Sequence, residues 1–314
     1  MLQPKKKRKN RYIPNLAAAH FKPTEDWGTK AAKTLYEQVS FPNLPFRIDD
    51  VVFKDCVSQM QMIPEGSIDV VVADPPFGLG FNGRESIYNR DERLVKEGYE
   101  EIEKGKGYEE FTVLWLKEVK RVLSKTGSAW IFSGWTHIGE VLNALKRKDV
   151  NLPVVNHIIW KYQFGVFTMR KFVSSHYHLL FVTKTQDYYF NKIMHYPLDV
   201  WDIKRTYRKG EVKNGTKLPE QLVARCIEFT SKPGALVLDP FMGNGTTAVA
   251  AKGTFRHYLG FEKNEEMKEV INQNLSLVKV GSMYTPYSTR ADELVTRARK
   301  RYGIPKGNTE LPDY

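Results

Sequence analysis

Short apolar runs alternate along the chain with stretches whose apolar residues recur every three or four positions. The clearest runs are residues 68–73 and 235–238, both bounded by turn-forming residues, which is typical of strands buried on both faces of a parallel sheet. Further strands are predicted at residues 48–53, 128–132, 154–160, 179–183 and 258–261, and helices at residues 111–122, 141–145, 219–229 and 248–252. Because strands alternate with helices, the pattern predicts an α/β fold with a doubly wound, mostly parallel sheet.

Three regions fall outside this alternation. Residues 1–45 are rich in Lys, Pro and Asn and are predicted to form a basic, partly disordered arm, with order beginning near Arg47. Residues 78–108 show neither a strand period nor a helix period, so they are predicted to be a mobile loop inside a main domain of residues 46–280. Residues 281–314 are predicted to be a C-terminal tail.

The net charge of the chain indicates which class of partner it binds. The 314 residues include 48 Lys or Arg and 36 Asp or Glu, a net charge of +12, which fits a polyanionic partner such as nucleic acid. Residues 1–11 alone hold six of the basic residues and no acidic one. The run at residues 5–9 is either a nuclear address, if the host has a nucleus, or a basic arm that contacts phosphates or solvent.

Cysteine content and hydropathy exclude other classes. With only Cys56 and Cys226, the chain is no disulfide scaffold and suits a reducing compartment. It contains no apolar run of the length that a membrane span needs, and no apolar segment follows the basic residues at its start. We therefore expect a protein of the cytoplasm or nucleoid, nuclear only in a eukaryotic host, with no membrane partner.

A glycine-containing turn follows the predicted strand at residues 235–238. Gly243 and Gly245 allow backbone amides to approach a ligand, and the N-terminus of the helix that follows favours negative charge. Thr246 and Thr247 come next, where a nucleotide hydrolase would have Gly-Lys-Ser/Thr. The turn therefore indicates an adenosine-containing cofactor or a purely structural glycine turn.

Two acidic residues narrow the cofactor class. Glu262 ends the next predicted strand, where its carboxylate can accept hydrogen bonds from ribose hydroxyls. Asp239 precedes the turn, where a carboxylate would repel a pyrophosphate but suits the ammonium group of a methionine moiety. A dinucleotide-dependent oxidoreductase would leave Asp239 without a purpose.

The segment Asp74-Pro75-Pro76-Phe77 follows the other buried strand. Two successive prolines hold an extended loop and remove two backbone donors. What remains is a carboxylate, proline carbonyls and an aromatic face, a set that suits a planar exocyclic amine stacked on Phe77. Taken alone, the segment also fits a structural turn followed by a core phenylalanine.

Together and in this order, the two motifs resemble those of the DNA amino-methyltransferases in their beta arrangement, a circularly permuted order with Asp-Pro-Pro-aromatic first and the cofactor glycines last. The resemblance covers about residues 47–275 and includes Ile158-Ile159-Trp160-Lys161 and Lys217-Leu218-Pro219-Glu220. It implies a Rossmann-like S-adenosylmethionine-dependent methyltransferase fold, S-adenosyl-L-methionine as the cofactor and no metal.

The resemblance also implies a role for each motif residue. The flipped target base would be held by Asp74, Pro75, Pro76 and Phe77. The cofactor would be held by Asp55, Cys56, Asp239, Phe241, Gly243, Gly245, Thr246, Thr247 and Glu262, with Asp55 and Cys56 beside its adenine and Glu262 on its ribose. The chain departs from the family where Phe77 replaces the usual Tyr, and where Thr216-Lys217-Leu218-Pro219 stands in place of Thr-Gln-Lys-Pro.

The target implied by the resemblance is the exocyclic N6 of adenine in double-stranded DNA. Family members that methylate the amino group of cytosine commonly begin this motif with Ser, whereas the chain has Asp74. Methylation of cytosine N4, and a catalytically silent DNA-binding protein of the same fold, remain the alternatives. Relatives commonly pair, so a homodimer is one possible partner, and a cognate restriction endonuclease is another.

Two segments are predicted to contact DNA, and two histidines are predicted to have a structural role. Residues 162–213 interleave aromatic and basic residues and are predicted to recognise the target, against ordinary packing and solvated charge. The loop at residues 78–108 is predicted to close over DNA, against an inert insertion. His176 and His178 share one face of a strand, but no third metal ligand is obvious nearby, so a structural pair is expected.

Overall fold

The computed structural model describes residues 22–76, 107–162, 169–194, 196–205 and 217–302. Its strands are β1 (Asp50–Val52), β2 (Ile68–Ala73), β3 (Leu123–Ser133), β4 (Val154–Lys161), β5 (His176–Thr183), β6 (Val200–Asp202), β7 (Leu236–Asp239) and β8 (His257–Phe261). Its helices are α1 (Thr29–Gln38), α2 (Cys56–Met60), α3 (Tyr108–Val122), α4 (Ile138–Lys146), α5 (Glu220–Thr230), α6 (Thr246–Gly253), α7 (Met267–Ser276) and α8 (Tyr287–Tyr302).

The described strands form one sheet in the order β1-β8-β7-β2-β3-β5-β4-β6. The block from β1 to β3 is parallel throughout, β5 is antiparallel to β3 and β4, and β6 is parallel to β4. Because β3 and β4 both run opposite to β5, every described strand except β5 ends at the same side of the sheet, which we call the carboxyl edge. The prediction of a mostly parallel α/β sheet is confirmed, and ligands bind at the carboxyl edge of such sheets.

Helices cover both faces of the sheet and explain why its central strands are continuously apolar. Along β2, Val71 and Ala73 face the layer formed by α2, α3 and α4, whereas Val70 and Val72 face α5 and α6. All four side chains are fully buried. One polar residue interrupts the strand: the carboxylate of Asp69 accepts a hydrogen bond of 2.8 Å from the backbone N–H of Leu236 at the start of β7.

Helix α1 lies within the region expected to be disordered, so the prediction that order begins near Arg47 is wrong. Ala32 is fully buried, and the ring of Tyr36 stacks on His257 with centroids 4.0 Å apart. The Nδ1 atom of His257 lies 2.8 Å from a carboxylate oxygen of Asp49, and its Nε2 atom lies 2.9 Å from the carbonyl oxygen of Tyr36. These partners are more than 200 positions apart, so no local pattern reveals them.

The described residues divide into two units. The larger unit is the sheet with its helices, residues 29–191 and 198–284. The smaller comprises the described residues of segments 1–28, 192–197 and 285–314, and in it Asp26 accepts a hydrogen bond of 2.8 Å from the N–H of Tyr287 at the start of α8. Among the described residues, no helix is long and apolar enough to cross a membrane.

Candidate active site

The two motifs meet at the carboxyl edge, because their strands are hydrogen-bonded neighbours. In β2 and β7, Val70 is paired with Val237 and Val71 with Leu238, so the chain leaves both strands side by side. Asp239 is the last residue of β7, and Asp74 follows β2 directly. The structure thus brings together two acidic residues that are 165 positions apart in the sequence.

The two carboxylates share a poorly solvated environment, which favours their protonated forms. Burial, and after it the charge of Asp239, raise the pKa of Asp74 to about 7, against an opposing effect of Arg205. Burial likewise raises the pKa of Asp239 to about 7, against hydrogen bonds from Thr247 and the backbone of Phe241, and the charge of Glu262 adds to the rise. The edge therefore gathers carboxyl groups whose ionised forms are poorly stabilised by water.

Glu262 fastens the glycine turn to the end of β8. One of its carboxylate oxygens accepts a hydrogen bond of 2.7 Å from the N–H of Gly243, and the other accepts one of 2.9 Å from the N–H of Asn264. Burial raises the pKa of Glu262, against these backbone hydrogen bonds. Because a carboxylate offers about four lone-pair positions, it can still accept hydrogen bonds from a ligand.

The backbone of the turn requires glycine. Gly243 has φ of 50° and Gly245 has φ of 79°, in the left-handed region that other residues rarely adopt. Gly245 is the N-cap of α6 and supplies no side-chain capping bond, so the first-turn amides keep donors to offer to a ligand. A Cβ at Gly260, on β8, would displace the terminal methyl group of Met242 in the turn.

The remaining predicted cofactor residues line the same region through packing and capping. The ring of Phe241 packs edge-on against Trp115 of α3, with centroids 5.5 Å apart. The carboxylate of Asp55 accepts a hydrogen bond of 2.9 Å from the N–H of Ser58, so it is the N-cap of α2. Thr246 and Thr247, in the first turn of α6, are buried.

Neither cysteine is prepared to act as a nucleophile. Burial raises the pKa of Cys56 to about 12, and the charges of Asp55 and Asp239 add to this rise. Burial also raises the pKa of Cys226, which lies on the buried face of α5. Both thiols stay protonated at neutral pH, and the protonated thiol is not the reactive form.

The structure places part of the predicted base-binding segment. Pro75 is buried and Pro76 partly buried at the carboxyl edge. Phe77 lies outside the described residues, as do residues 78–106 of the predicted loop and residues 163–168, 195 and 206–213 of the predicted recognition region.

Arg205 is a feature of the site that the sequence did not single out. Its guanidinium lies 5.2 Å from the ring centroid of Trp160 and 5.3 Å from that of Tyr162, and its Nη1 donates a hydrogen bond of 3.3 Å to the carbonyl of Lys217. The only available signal was its position in the region rich in aromatic and basic residues, which many other residues share. The Lys217 side chain itself is buried and lies 3.4 Å from the carboxylate of Glu220.

The histidines on β5 form a small cluster with a third from β4. His157 Nε2 and His178 Nδ1 are 2.8 Å apart, and the rings of His176 and His178 are 5.1 Å apart. Burial and the two neighbouring histidines lower the pKa of His178 to about 4, which favours its neutral form. Within the described part of the chain, no group of three or more His, Cys, Asp or Glu side chains could hold a metal ion.

A mostly parallel sheet, a glycine turn and paired carboxylates at its carboxyl edge define a Rossmann-like methyltransferase as the class of protein. Residues 68–273 match the family model described as DNA methylase, with the name N6_N4_Mtase. The chain belongs to this N6/N4 DNA methylase family. The resemblance predicted from the two motifs is therefore confirmed.

A sequence relative agrees with this membership, and solved structures agree with the fold. The chain is 30% identical over 251 residues to the type II methyltransferase M.HinfI of Haemophilus influenzae, covering 74% of this chain and 69% of that protein. The fold resembles the crystal structure of the M1.HpyAVI–SAM complex (TM-score 0.54, 20% identity, 72% of this chain and 98% of that one). It also resembles the cytosine-N4-specific PvuII DNA methyltransferase (TM-score 0.58, 16% identity, 82% of this chain and 97% of that one).

Proposed function

We propose that this DNA methyltransferase transfers the methyl group of S-adenosyl-L-methionine to the exocyclic N6 of a flipped adenine in double-stranded DNA. The observation that carries the proposal is the placement of Asp74 and Asp239 at the ends of paired strands β2 and β7. The cofactor supplies an electrophilic methyl group on a sulfonium centre, and the protein supplies the surroundings in which a weak nucleophile can reach it.

The charge of the carboxyl edge fits this cofactor. Burial raises the pKa of Asp74, Asp239 and Glu262, and the charge of a neighbouring carboxylate adds to the rise for Asp74 and Asp239. A ligand that carries sulfonium and ammonium charges relieves this repulsion, whereas a pyrophosphate would increase it. Asp239 would hold the ammonium group, the backbone amides in the first turn of α6 would hold the carboxylate, and Glu262 would hold the ribose.

Asp74 and Pro75 would activate the target amine. The lone pair of an exocyclic adenine nitrogen is delocalised into the ring, which makes the nitrogen a poor nucleophile. Hydrogen bonds from its two N–H groups to the Asp74 carboxylate and the Pro75 carbonyl favour a pyramidal nitrogen and free that lone pair. The contribution of the protein is then positioning and electrostatic stabilisation, with no covalent intermediate on the enzyme.

Asp74 also suits the proton that leaves. As the new N–C bond forms and the C–S bond breaks, the nitrogen sheds one proton to a nearby base. A carboxylate whose pKa is raised to about 7 accepts a proton at neutral pH far better than an ordinary aspartate. The same carboxyl group would therefore orient the amine and then take its proton.

The target must leave the duplex before it can reach this edge. Extruding a base costs a few kcal/mol, and stacking on an aromatic side chain returns about 1–3 kcal/mol. Phe77, directly after the two prolines, would provide that stacking face. Its ring keeps the stacking surface of the tyrosine that the family usually carries at this position.

The loop between β4 and β5 supports target recognition by residues 162–213. It leaves β4 at the carboxyl edge and exposes Met169 by 86% and Phe172 by 99% beside the exposed Arg170 and Lys171. Exposed apolar side chains among cations suit insertion between bases with phosphates nearby. On this proposal the protein acts in the cytoplasm or on the nucleoid, where its DNA lies.

The proposal is tested by identifying the methylated nucleoside. Duplex DNA is incubated with the protein and isotope-labelled S-adenosylmethionine, digested to nucleosides and analysed by mass spectrometry. We expect labelled N6-methyldeoxyadenosine, and its loss in the Asp74→Ala variant. Labelled N4-methyldeoxycytidine would show the alternative target, and no labelled base would show a catalytically silent protein.

A further inference from the structure

His257 begins β8 and lies between helix α1 and Asp49, the residue before β1. Its Nδ1 atom is 2.8 Å from a carboxylate oxygen of Asp49, and its Nε2 atom is 2.9 Å from the carbonyl oxygen of Tyr36 in α1. We propose that His257 is a doubly protonated imidazolium that holds α1 against the sheet, and that α1 is released when pH rises and the ring loses one proton. The inference does not depend on the proposed function, because β1 and β8 begin at the side of the sheet opposite to the carboxyl edge.

The protonation state follows from the hydrogen-bonding partners of the ring. A neutral imidazole has one N–H donor and one bare nitrogen, whereas a carbonyl oxygen and an ionised carboxylate only accept hydrogen bonds. Either neutral form would therefore hold a nitrogen lone pair against an oxygen atom at 2.8 or 2.9 Å, whereas the imidazolium donates to both oxygens. A proton on Asp49 would not replace it, because a carboxylate (pKa about 3.9) is a much weaker base than an imidazole (pKa about 6.5).

The surroundings of His257 favour the cation. The ring of Tyr36 stacks on the imidazole with centroids 4.0 Å apart, and the ring of Phe41 lies nearly perpendicular to it at 5.1 Å. A cation is attracted to the face of an aromatic ring. Burial acts to lower the pKa of His257, but the hydrogen bonds to Asp49 and to the carbonyl of Tyr36, with the charge of Asp49, outweigh it and raise the pKa above its ordinary value of 6.5.

The other titratable groups beside Asp49 keep their charge state when His257 titrates. The hydroxyl of Tyr36, from α1, is 3.4 Å from the carboxylate of Asp49, and the N–H of Tyr258, from β8, donates a hydrogen bond of 3.1 Å to it. Burial raises the pKa of both phenols, that of Tyr258 to about 12, so both stay neutral. Among the described residues, Asp49 is the charged group that acts on His257.

The cation acts at the C-terminal end of α1. Tyr36 is in the last turn of this helix, whose final four carbonyls have no partner within the helix. A positive charge there binds one of these carbonyls and interacts favourably with the negative end of the helix dipole. The backbone of α1 lies close to the sheet, since a Cβ added at Gly234, before β7, would be 2.8 Å from the carbonyl oxygen of Leu35.

Loss of the proton should weaken this attachment. Since the pKa of His257 is raised in the folded protein, its contribution is fully present below about pH 6.5 and is lost as pH rises through the folded pKa. Above that pH, one ring nitrogen faces an oxygen that it can no longer bind. The chain enters the larger unit at Thr29, the start of α1, so the basic residues 1–11 are joined to the sheet through α1. Release of α1 would loosen that connection.

The protonation state is read from the ring nitrogens. Protein labelled with ¹⁵N-histidine is followed by two-bond ¹H–¹⁵N correlation spectra from pH 5 to pH 9. The His257 signals are identified by their absence in His257→Gln or, should that variant not fold, by their shift in Asp49→Asn. At pH 6.5 we expect both nitrogens of His257 to be mostly protonated, whereas His178, whose pKa burial and two neighbouring histidines lower to about 4, should be neutral. A neutral His257 at pH 6.5 would overturn the proposal.

Release of α1 is measured by amide hydrogen exchange at pH 6.5 and pH 9, corrected for the intrinsic rate at each pH, with α5 as the reference helix. Protection of α1 should fall at least about tenfold relative to α5 at the higher pH. Asp49→Asn removes the anion, so it should lower the pH of release by about one unit or more. Tyr36→Phe keeps the ring and the carbonyl and should leave that pH nearly unchanged. Protection of α1 that is independent of pH, or that changes at the same pH in the wild type and in Asp49→Asn, would overturn the proposal.

Discussion

At the scale of single residues, the buried carboxyl groups at the carboxyl edge lower the stability of the folded protein when they ionise. The charge of the buried Asp239 raises the pKa of the partly buried Asp74, and the charge of Glu262 raises that of Asp239. Groups arranged to bind a charged ligand commonly weaken the free fold in this way. The same repulsion explains why these residues would attract a cationic cofactor.

Asp74→Asn tests both sides of this arrangement. The pKa of Asp74 is about 7 in the folded protein and 3.8 in the unfolded chain. The free energy of unfolding of the wild type therefore falls as pH rises from about 4 to 7, and the whole loss is present above pH 7. At pH 8 we expect the variant to be more stable than the wild type by about 1 kcal/mol or more, with methyl transfer reduced about 100-fold or further.

Thermal unfolding at pH 5 and pH 8, with a methyl-transfer assay, measures these effects. The gain in stability should be much smaller at pH 5, where the wild-type carboxyl is largely protonated. A variant that is less stable than the wild type at pH 8 would contradict the account, as would one with full activity.

At the scale of elements, the turn between β7 and α6 depends on its backbone conformation more than on its side chains. Gly245 adopts φ of 79°, and a Cβ added there would lie 3.2 Å from a methyl carbon of Ile271 in α7. Gly66 has a similar φ of 73°, but a Cβ there would meet nothing within 4 Å. The pair separates backbone strain from crowding at the site.

Alanine substitutions at these two glycines should therefore differ. Gly66→Ala should lower the free energy of unfolding by about 1–2 kcal/mol from strain alone and leave cofactor affinity unchanged. Gly245→Ala should lower it further and weaken S-adenosylmethionine binding at least tenfold, because the turn must shift away from α7. Thermal unfolding and titration calorimetry measure the two quantities, and equal cofactor affinity in both variants would contradict this role of the turn.

At the scale of the whole molecule, the net charge is positive, whereas the proposed cofactor site is acidic. The chain carries a net charge of +12, which attracts DNA, yet the described carboxyl edge gathers three acidic side chains around the proposed cofactor site. Long-range attraction thus favours the polyanionic substrate, whereas the local field favours a cationic cofactor.

Cofactor binding should consequently depend on pH. Since a cation binds the ionised forms of Asp74 and Asp239, whose pKa values are raised to about 7, affinity for S-adenosylmethionine should rise between about pH 6 and pH 8 and then level off. Calorimetry near pH 6.5 in two buffers of different ionisation enthalpy should show net proton release on binding. Affinity that is constant over this range, or net proton uptake, would contradict the assignment of Asp239 to the cofactor and the placing of Asp74 beside it.

The extent to which sequence predicts structure differs between the parts of the chain. β2 and β7 were predictable because strands buried on both faces leave continuous apolar runs between turn-forming residues. Helix α1 was missed because its mean composition is polar and its buried contacts, such as Ala32 and the stacking of Tyr36 on His257, depend on distant residues. Cys56 is buried in the core, which raises the pKa of its thiol to about 12, and its place beside the cofactor adenine stays a prediction.

The sequence by itself determined the chemistry: a carboxylate before two prolines, a glycine turn after a second carboxylate, and the order in which they occur. Only the tertiary structure decided that β2 pairs with β7 and that Asp74 and Asp239 therefore repel each other. It also decided that the charge of Arg205 acts on Asp74 in the opposite direction and lowers its pKa. The physical reason is the distance along the chain over which each kind of interaction acts. Periodicity records which side of an element is buried, whereas the choice of neighbour depends on packing between residues far apart in the chain.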